Sequence, residues 1–179
     1  QELMQGFFLV QDLAENAISL DDVPVTVKSW LRERSNDVDF DLEEDRSLLE
    51  SAVYSALYAQ IEMALNFLHS NLALVHNDIQ GANILIEKPS LIRFLENSNS
   101  PTTTSKVQFL LVDFGLSTSL FATPPSMALG FAPPLKAECM VSLGKKFCHH
   151  RAAPEDDLFA LSITFLILAS RSPPTVLRW

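Results

Sequence analysis

Three oxygen-bearing side chains stand at intervals that could do phosphate chemistry. Asp78 and Asn83 lie in "LVHNDIQGANILI", Leu74 to Ile86, where an aliphatic run is broken by His76, Asn77, Asp78, Gln80 and Asn83 and then resumes; Asp113 follows in "LLVDFGLS". Hard oxygen ligands of this kind suit Mg²⁺, which takes few protein ligands and completes its octahedron with waters and substrate phosphates. A carboxylate beside such a metal can also accept a hydroxyl proton as phosphate is transferred. The set favours phosphoryl transfer over hydrolysis by a nucleophilic triad. Taken singly, each Asp equally suits a turn beside a buried strand, because Asp commonly marks turns.

The elements around these residues have to bring them together. From Ser47 to Ser70, Leu49, Val53, Leu57, Ile61, Leu65 and Leu68 recur at helical spacing and predict one long amphipathic helix that delivers the chain to "LVHND". "NILIEK" and "VQFLLVDF" read as the strands of a short hairpin, with the polar "NSNSPTTTSK" as a surface insertion between them. That arrangement would set Asp78, Asn83 and Asp113 at the ends of neighbouring strands, facing the same space. Upstream, "GFFLVQDL" reads as a strand, "AENAISLDD" as a polar turn, "VTVKSWLRERS" as a short helix and "NDVDFDLEEDR" as an acidic connector. Ser117 to Pro154 is rich in Pro and small residues and reads as extended. Behind "PEDD", the apolar run Leu158–Ser170 predicts a buried helix, too short for a bilayer, which needs about 20 residues. No internal repeat is present, and the fold class is α+β.

Composition narrows the partners. The chain has 179 residues, 47% hydrophobic and 20% charged, enough apolar material for a sizeable core. Thirteen basic against 22 acidic residues give a net charge of -9, whose field repels nucleic acid and anionic membrane. Only Cys139 and Cys148 are present, and no signal-like segment opens the sequence. The expected setting is therefore reducing and intracellular, cytoplasmic or nuclear. Cys148, His149 and His150 in "FCHHR" lack the second spaced pair of a zinc site and read as a surface loop.

"HNDIQGAN" followed by "VDFG" resembles the catalytic loop and the metal-binding motif of eukaryotic protein kinases, in order and approximate spacing. "ALYAQIEMALNFLHSNLALVHND" resembles the helix leading into that loop. "EDDLFALSITFLIL" resembles the buried helix of the large lobe, whose first Asp, here Asp157, steadies the loop backbone. The resemblance covers roughly Leu48 to Ala169. It implies a protein kinase-like fold in which residues 1–16 supply the last small-lobe strand and the hinge, and residues 17–179 an incomplete, mostly helical large lobe.

Carried over by position, the resemblance implies Asp78 as catalytic base, Asn83 and Asp113 as Mg²⁺ ligands, and His76 and Phe114 as packing elements. Gly115 would lend its turn backbone freedom, and the backbone at Asp12, Leu13 and Ala14 would meet the adenine of ATP. Gln80 joins Asp78 in the catalytic set, at the position where Ser/Thr kinases generally carry a Lys that touches the transferred phosphate. Asn77 stands where most of the family has Arg, so pairing of that Arg with a phosphorylated segment is lost. "GFAPP", Gly130 to Pro134, has Pro134 in place of the Glu of A-P-E, while Ala153 to Glu155 restores the letters close to Asp157. No glycine-rich phosphate loop and no V-A-I-K lysine occur in the sequence, so the 179 residues alone are expected to be inactive or nearly so.

The function implied is ATP-dependent transfer to a protein hydroxyl, of the Ser/Thr kind. A small-molecule kinase of the choline or aminoglycoside type is the alternative, because it shares the H-x-D-x-x-x-x-N loop and the Gln. A pseudokinase or binding remnant is the third reading, supported by Asn77, Gln80 and Pro134 and opposed by the retention of Asp78, Asn83 and Asp113. A protein substrate is the expected partner, with neither nucleic acid nor membrane. The edge of the small-lobe strand, without its sheet, predicts self-association.

Overall fold

A computed structural model describes residues 16–34, 42–97, 106–122 and 151–170. In chain order these form strand β1 (Ala17–Ser19), a 3₁₀ turn (Leu20–Asp22), helix α1 (Val23–Arg34), helix α2 (Leu42–Leu72) and strand β2 (Leu74–Val75). A second 3₁₀ turn (Gly81–Asn83), strand β3 (Ile84–Glu87), helix α3 (Lys88–Asn97) and strand β4 (Phe109–Leu111) follow. A third 3₁₀ turn (Phe114–Leu116), strand β5 (Thr118–Ser119) and helix α4 (Pro154–Ser170) complete the order. The class is α+β and mostly helical. The chain divides into two compact units, one holding the residues up to Leu57 and Ile84–Leu111, the other Tyr58–Asn83 and the residues from Val112 onward. Helix α2 contributes to both.

In the first unit a three-stranded antiparallel sheet has the order β1-β3-β4, with Ala17 opposite Glu87, Ile84 opposite Leu111 and Ile86 opposite Phe109. The alternation of β3 follows the pleat: Ile84 and Ile86 are buried, Leu85 and Glu87 only half-buried. Helix α1 buries Val23, Val27 and Leu31 at four-residue intervals and carries Arg32 and Arg34 in its last turn, where cations suit the helix dipole. Arg34 stacks on Trp30 and bonds Glu96 of α3 at 2.7 Å.

Several boundaries differ from the sequence-based expectation. "AENAISLDD" holds β1 and a 3₁₀ turn instead of a plain polar turn, and α2 begins at Leu42, inside the stretch expected to be an acidic connector. β3 and β4 do pair as a hairpin, yet the connection contains α3. Ser90 anchors that helix: its hydroxyl donates to Glu87 O (2.8 Å) and accepts from Gln108 N (2.9 Å), tying the helix start to the chain that returns as β4.

In the second unit β2 pairs with β5, Leu74 opposite Ser119 and Val75 opposite Thr118. Helix α4 starts at Pro154, a residue suited to a first turn whose N–H would be unpaired in any case. The acidic letters thus lie inside the helix, as its first turn. It buries Ala160, Leu161, Thr164 and Phe165, but it is not enclosed: Leu166 is 62% exposed. Among the described residues no helix is long and apolar enough to cross a membrane. The strand expected over "GFFLVQDL", the edge it would expose, and the segments holding Cys139, Cys148, His149, His150 and Pro134 lie outside the described residues.

Candidate functional site

The site is built within the second unit, from the end of α2 to the start of α4. Helix α2 stops at Leu72 because Ala73 turns left-handed (φ 50°), and Leu120 N then bonds Ala73 O at 2.8 Å. β2 carries the chain two residues further, and the loop from His76 to Asn83 begins.

One carboxylate organises that loop. Asp157, fully buried in the first turn of α4, accepts from His76 N (Oδ2, 2.8 Å) and from Asn77 N (Oδ1, 2.8 Å). Its Oδ2 also meets His69 Nε2, from the last turn of α2, at 2.8 Å. An ionised carboxylate can only accept, so this ring nitrogen carries the proton. A buried charge is tolerable when its lone pairs are met by donors in this way. Two further bonds hold the loop from the sides. His76 Nε2 donates to Val112 O at 3.1 Å, and Thr164 Oγ1 of α4, whose proton goes first to Ala160 O at 2.8 Å, approaches Ile79 O more weakly at 3.4 Å.

Asp78, Gln80 and Asn83 come together directly. Asp78 Oδ1 accepts from Gln80 Nε2 at 3.0 Å and Oδ2 from Asn83 Nδ2 at 2.8 Å, while the same Nδ2 reaches Asp78 O at 2.9 Å. Asn83 N closes the 3₁₀ turn onto Gln80 O at 2.9 Å. The Asp78 carboxylate is therefore oriented from both oxygens, each of which keeps a lone pair for another donor.

Asp113 joins through the backbone. Val112 N donates to Asn83 O at 3.0 Å, so Asp113 sits one residue from a residue bonded to Asn83. Asp113 is exposed and left-handed (φ 61°, ψ 67°), a conformation Asp tolerates better than most residues, and its Oδ1 accepts from Gly115 N at 3.3 Å. The expectation that Gly115 supplies the turn's freedom is corrected here. Asp113 takes the unusual backbone angles, and what Gly115 provides is room: a Cβ there would lie 3.1 Å from Asp113 Oδ1. His76 and Phe114 pack with ring centroids 4.5 Å apart and planes tilted by 53°, although Phe114 remains 44% exposed.

The donor set can be tested against a hard cation. Asn83 spends its Nδ2 on Asp78, and among the described residues neither Asn83 Oδ1 nor Asp113 Oδ2 accepts a hydrogen bond. Two oxygens with waters and phosphate filling the rest is a chemistry Mg²⁺ accepts. No cluster of three His, Cys, Asp or Glu side chains suited to a metal occurs among the described residues. Asp12, Leu13 and Ala14 lie outside the described residues.

His69 is the residue that sequence reasoning missed. The buried positions Val53, Leu57, Ile61 and Leu65 step by four, and the next step is His69, a polar residue in phase with the apolar stripe and buried with it. That phase was the available signal. No protein-family model matches the sequence, and no curated protein matches it.

Proposed function

We propose that this chain carries the catalytic loop and metal-binding turn of an ATP-dependent phosphotransferase of the protein kinase kind, acting on a Ser or Thr hydroxyl of a protein. The observation that supports it most is the grip of Asp157 on the His76 and Asn77 amides, which holds Asp78 and Asn83 bonded to each other and one backbone bond from the Asp113 turn.

In this reading Asp78 accepts the proton of the attacking hydroxyl, and its bonds to Gln80 and Asn83 fix the direction from which the hydroxyl must come. Asn83 Oδ1 and Asp113 Oδ2 are the oxygens that would hold Mg²⁺, which supplies charge neutralisation for the phosphate oxygens when bound. Gln80 contributes a neutral amide dipole beside Asp78 and no positive charge for the phosphate, so transition-state charge stabilisation has to come from other groups.

The test is calorimetric titration of the chain with a non-hydrolysable ATP analogue, with and without Mg²⁺, for the native sequence and Asp113→Ala. Binding that needs both Mg²⁺ and Asp113 is expected; binding indifferent to either, or none, overturns the reading. In a version of the chain carrying a complete small lobe, Asp78→Ala should leave that binding in place and lower transfer by about 10²–10⁴-fold. Transfer to a small alcohol or aminoglycoside in place of a protein hydroxyl would move the assignment to the small-molecule kinases.

A further inference from the structure

Asn77 is bonded in two directions. Its backbone N–H is committed to Asp157, and its side-chain Nδ2 donates to Leu116 O at 3.0 Å, with a weaker approach to Val75 O at 3.4 Å. Leu116 ends the 3₁₀ turn that Asp113 opens. Beside this bond Ser117 Oγ donates to His76 O at 3.3 Å, and on the other side of Asp113 His76 Nε2 donates to Val112 O at 3.1 Å. Asp113 thus stands between two flanks, each tied to the loop by a side chain.

Three features single out the Asn77 amide. The residue is left-handed (φ 65°), where Asn and Asp are much better tolerated than other side chains, so the backbone aims the amide instead of leaving it to choose a rotamer. Its side chain is buried, and Oδ1 finds no partner among the described residues. An unpaired buried acceptor is a cost that glycine at the same angles would not carry, so what the amide contributes is its donor. The three side-chain ties flanking Asp113 involve only neutral acceptors and need no charged group.

We propose that Asn77 is a positioning residue: it ties the Asp78 loop to the Asp113 turn through Leu116 O and so holds Asp113 in place. This rests on the phosphotransferase reading for its purpose, although the tie itself can be measured independently. Being neutral, the tie is insensitive to salt.

The experiment measures amide hydrogen exchange and Mg²⁺-dependent ATP-analogue affinity on the whole chain, for Asn77→Gly and Asn77→Asp. Glycine keeps the backbone angles and deletes the donor; aspartate keeps shape and angles and turns the donor into an acceptor facing Leu116 O. In both, exchange at the Gly115 and Ser117 amides is expected to rise about tenfold while that of α4 stays put, and analogue affinity to fall with the turn's order. Unchanged exchange at the turn in both variants, or an equal rise in α4, overturns the assignment. A native chain that binds no analogue would defeat the phosphotransferase reading, and the exchange result would still decide whether Asn77 holds the turn.

Discussion

Replacing Asp157 by alanine withdraws one acceptor from three buried donors at once. The backbone amides of His76 and Asn77 lose partners at 2.8 Å each, and His69 Nε2 loses its own at 2.8 Å. An orphaned buried donor costs about 1–3 kcal/mol, so the two amides alone bring the loss to roughly 2–6 kcal/mol. The His69 Nε2–H becomes a third orphaned buried donor, which places the loss in the middle of that range or above it. A loss near 4 kcal/mol is expected, a large share of the ~5–15 kcal/mol that holds a typical domain together. With an m-value of about 2 kcal/mol/M, the urea midpoint should fall by about 2 M. Asp157→Asn retains one carbonyl oxygen for one of the two amides and presents an NH₂ to the other, so about half that shift is expected and the variant should remain folded. The assay is urea unfolding followed by far-UV ellipticity, with the slope checked against the native chain. A loss below about 1 kcal/mol for Asp157→Ala at unchanged slope would refute the argument, because it would mean that the loop amides find other partners at little cost.

Two further outcomes follow from particular contacts. Gly115→Ala should leave stability unchanged or slightly raised, by up to about 1 kcal/mol through the unfolded chain. The same change should weaken Mg²⁺-dependent analogue binding, because the new Cβ presses on Asp113 Oδ1 from 3.1 Å; calorimetry beside urea unfolding separates the two effects. Asp21, an exposed residue at the approach to α1, is held above its ordinary carboxyl value of 3.8 by partial loss of solvent and, second, by the neighbouring Asp22 charge. Its charged form is disfavoured in the folded chain, so it subtracts stability where both states are ionised, and the subtraction fades as pH falls through the folded value. Asp21→Asn should accordingly raise the urea midpoint near pH 7 and leave it unchanged near about pH 3; a gain that persists in acid would contradict the assignment.

How far the sequence carried differs from element to element. α2 was legible because its apolar residues keep helical phase over many turns, and β3 and β4 because short aliphatic runs end in polar residues. α3 was not, since Lys88–Pro89 directly after the strand looks like a breaker, whereas a Pro in a first helical turn loses no hydrogen bond. β1 is three residues long and has no period to show. Within the site, Asp78, Gln80 and Asn83 were visible as a local cluster and prove to be bonded to one another. The bond from Asp157 to the loop spans 81 residues, and no local pattern records such a distance; only the resemblance to a known loop and helix suggested it. Gly115 was read by its usual talent for rare backbone angles. Asp113, two residues before it, adopts them, and its carboxylate accepts from the Gly115 amide to close the turn.

The grip of Asp157 also sets an order of events during synthesis. His76 and Asn77 leave the ribosome 81 and 80 residues before the carboxylate that will receive their amides. At about 5–20 residues per second the loop waits roughly 4–16 s for its acceptor. During that interval the His76 and Asn77 amides are without their acceptor, and only the bonds among Asp78, Gln80 and Asn83 can order the loop. The Asp78 loop therefore gains this anchor only after α4 has been made, and a pause in synthesis ahead of Pro154 would prolong the interval in which the His76 and Asn77 amides lack their acceptor.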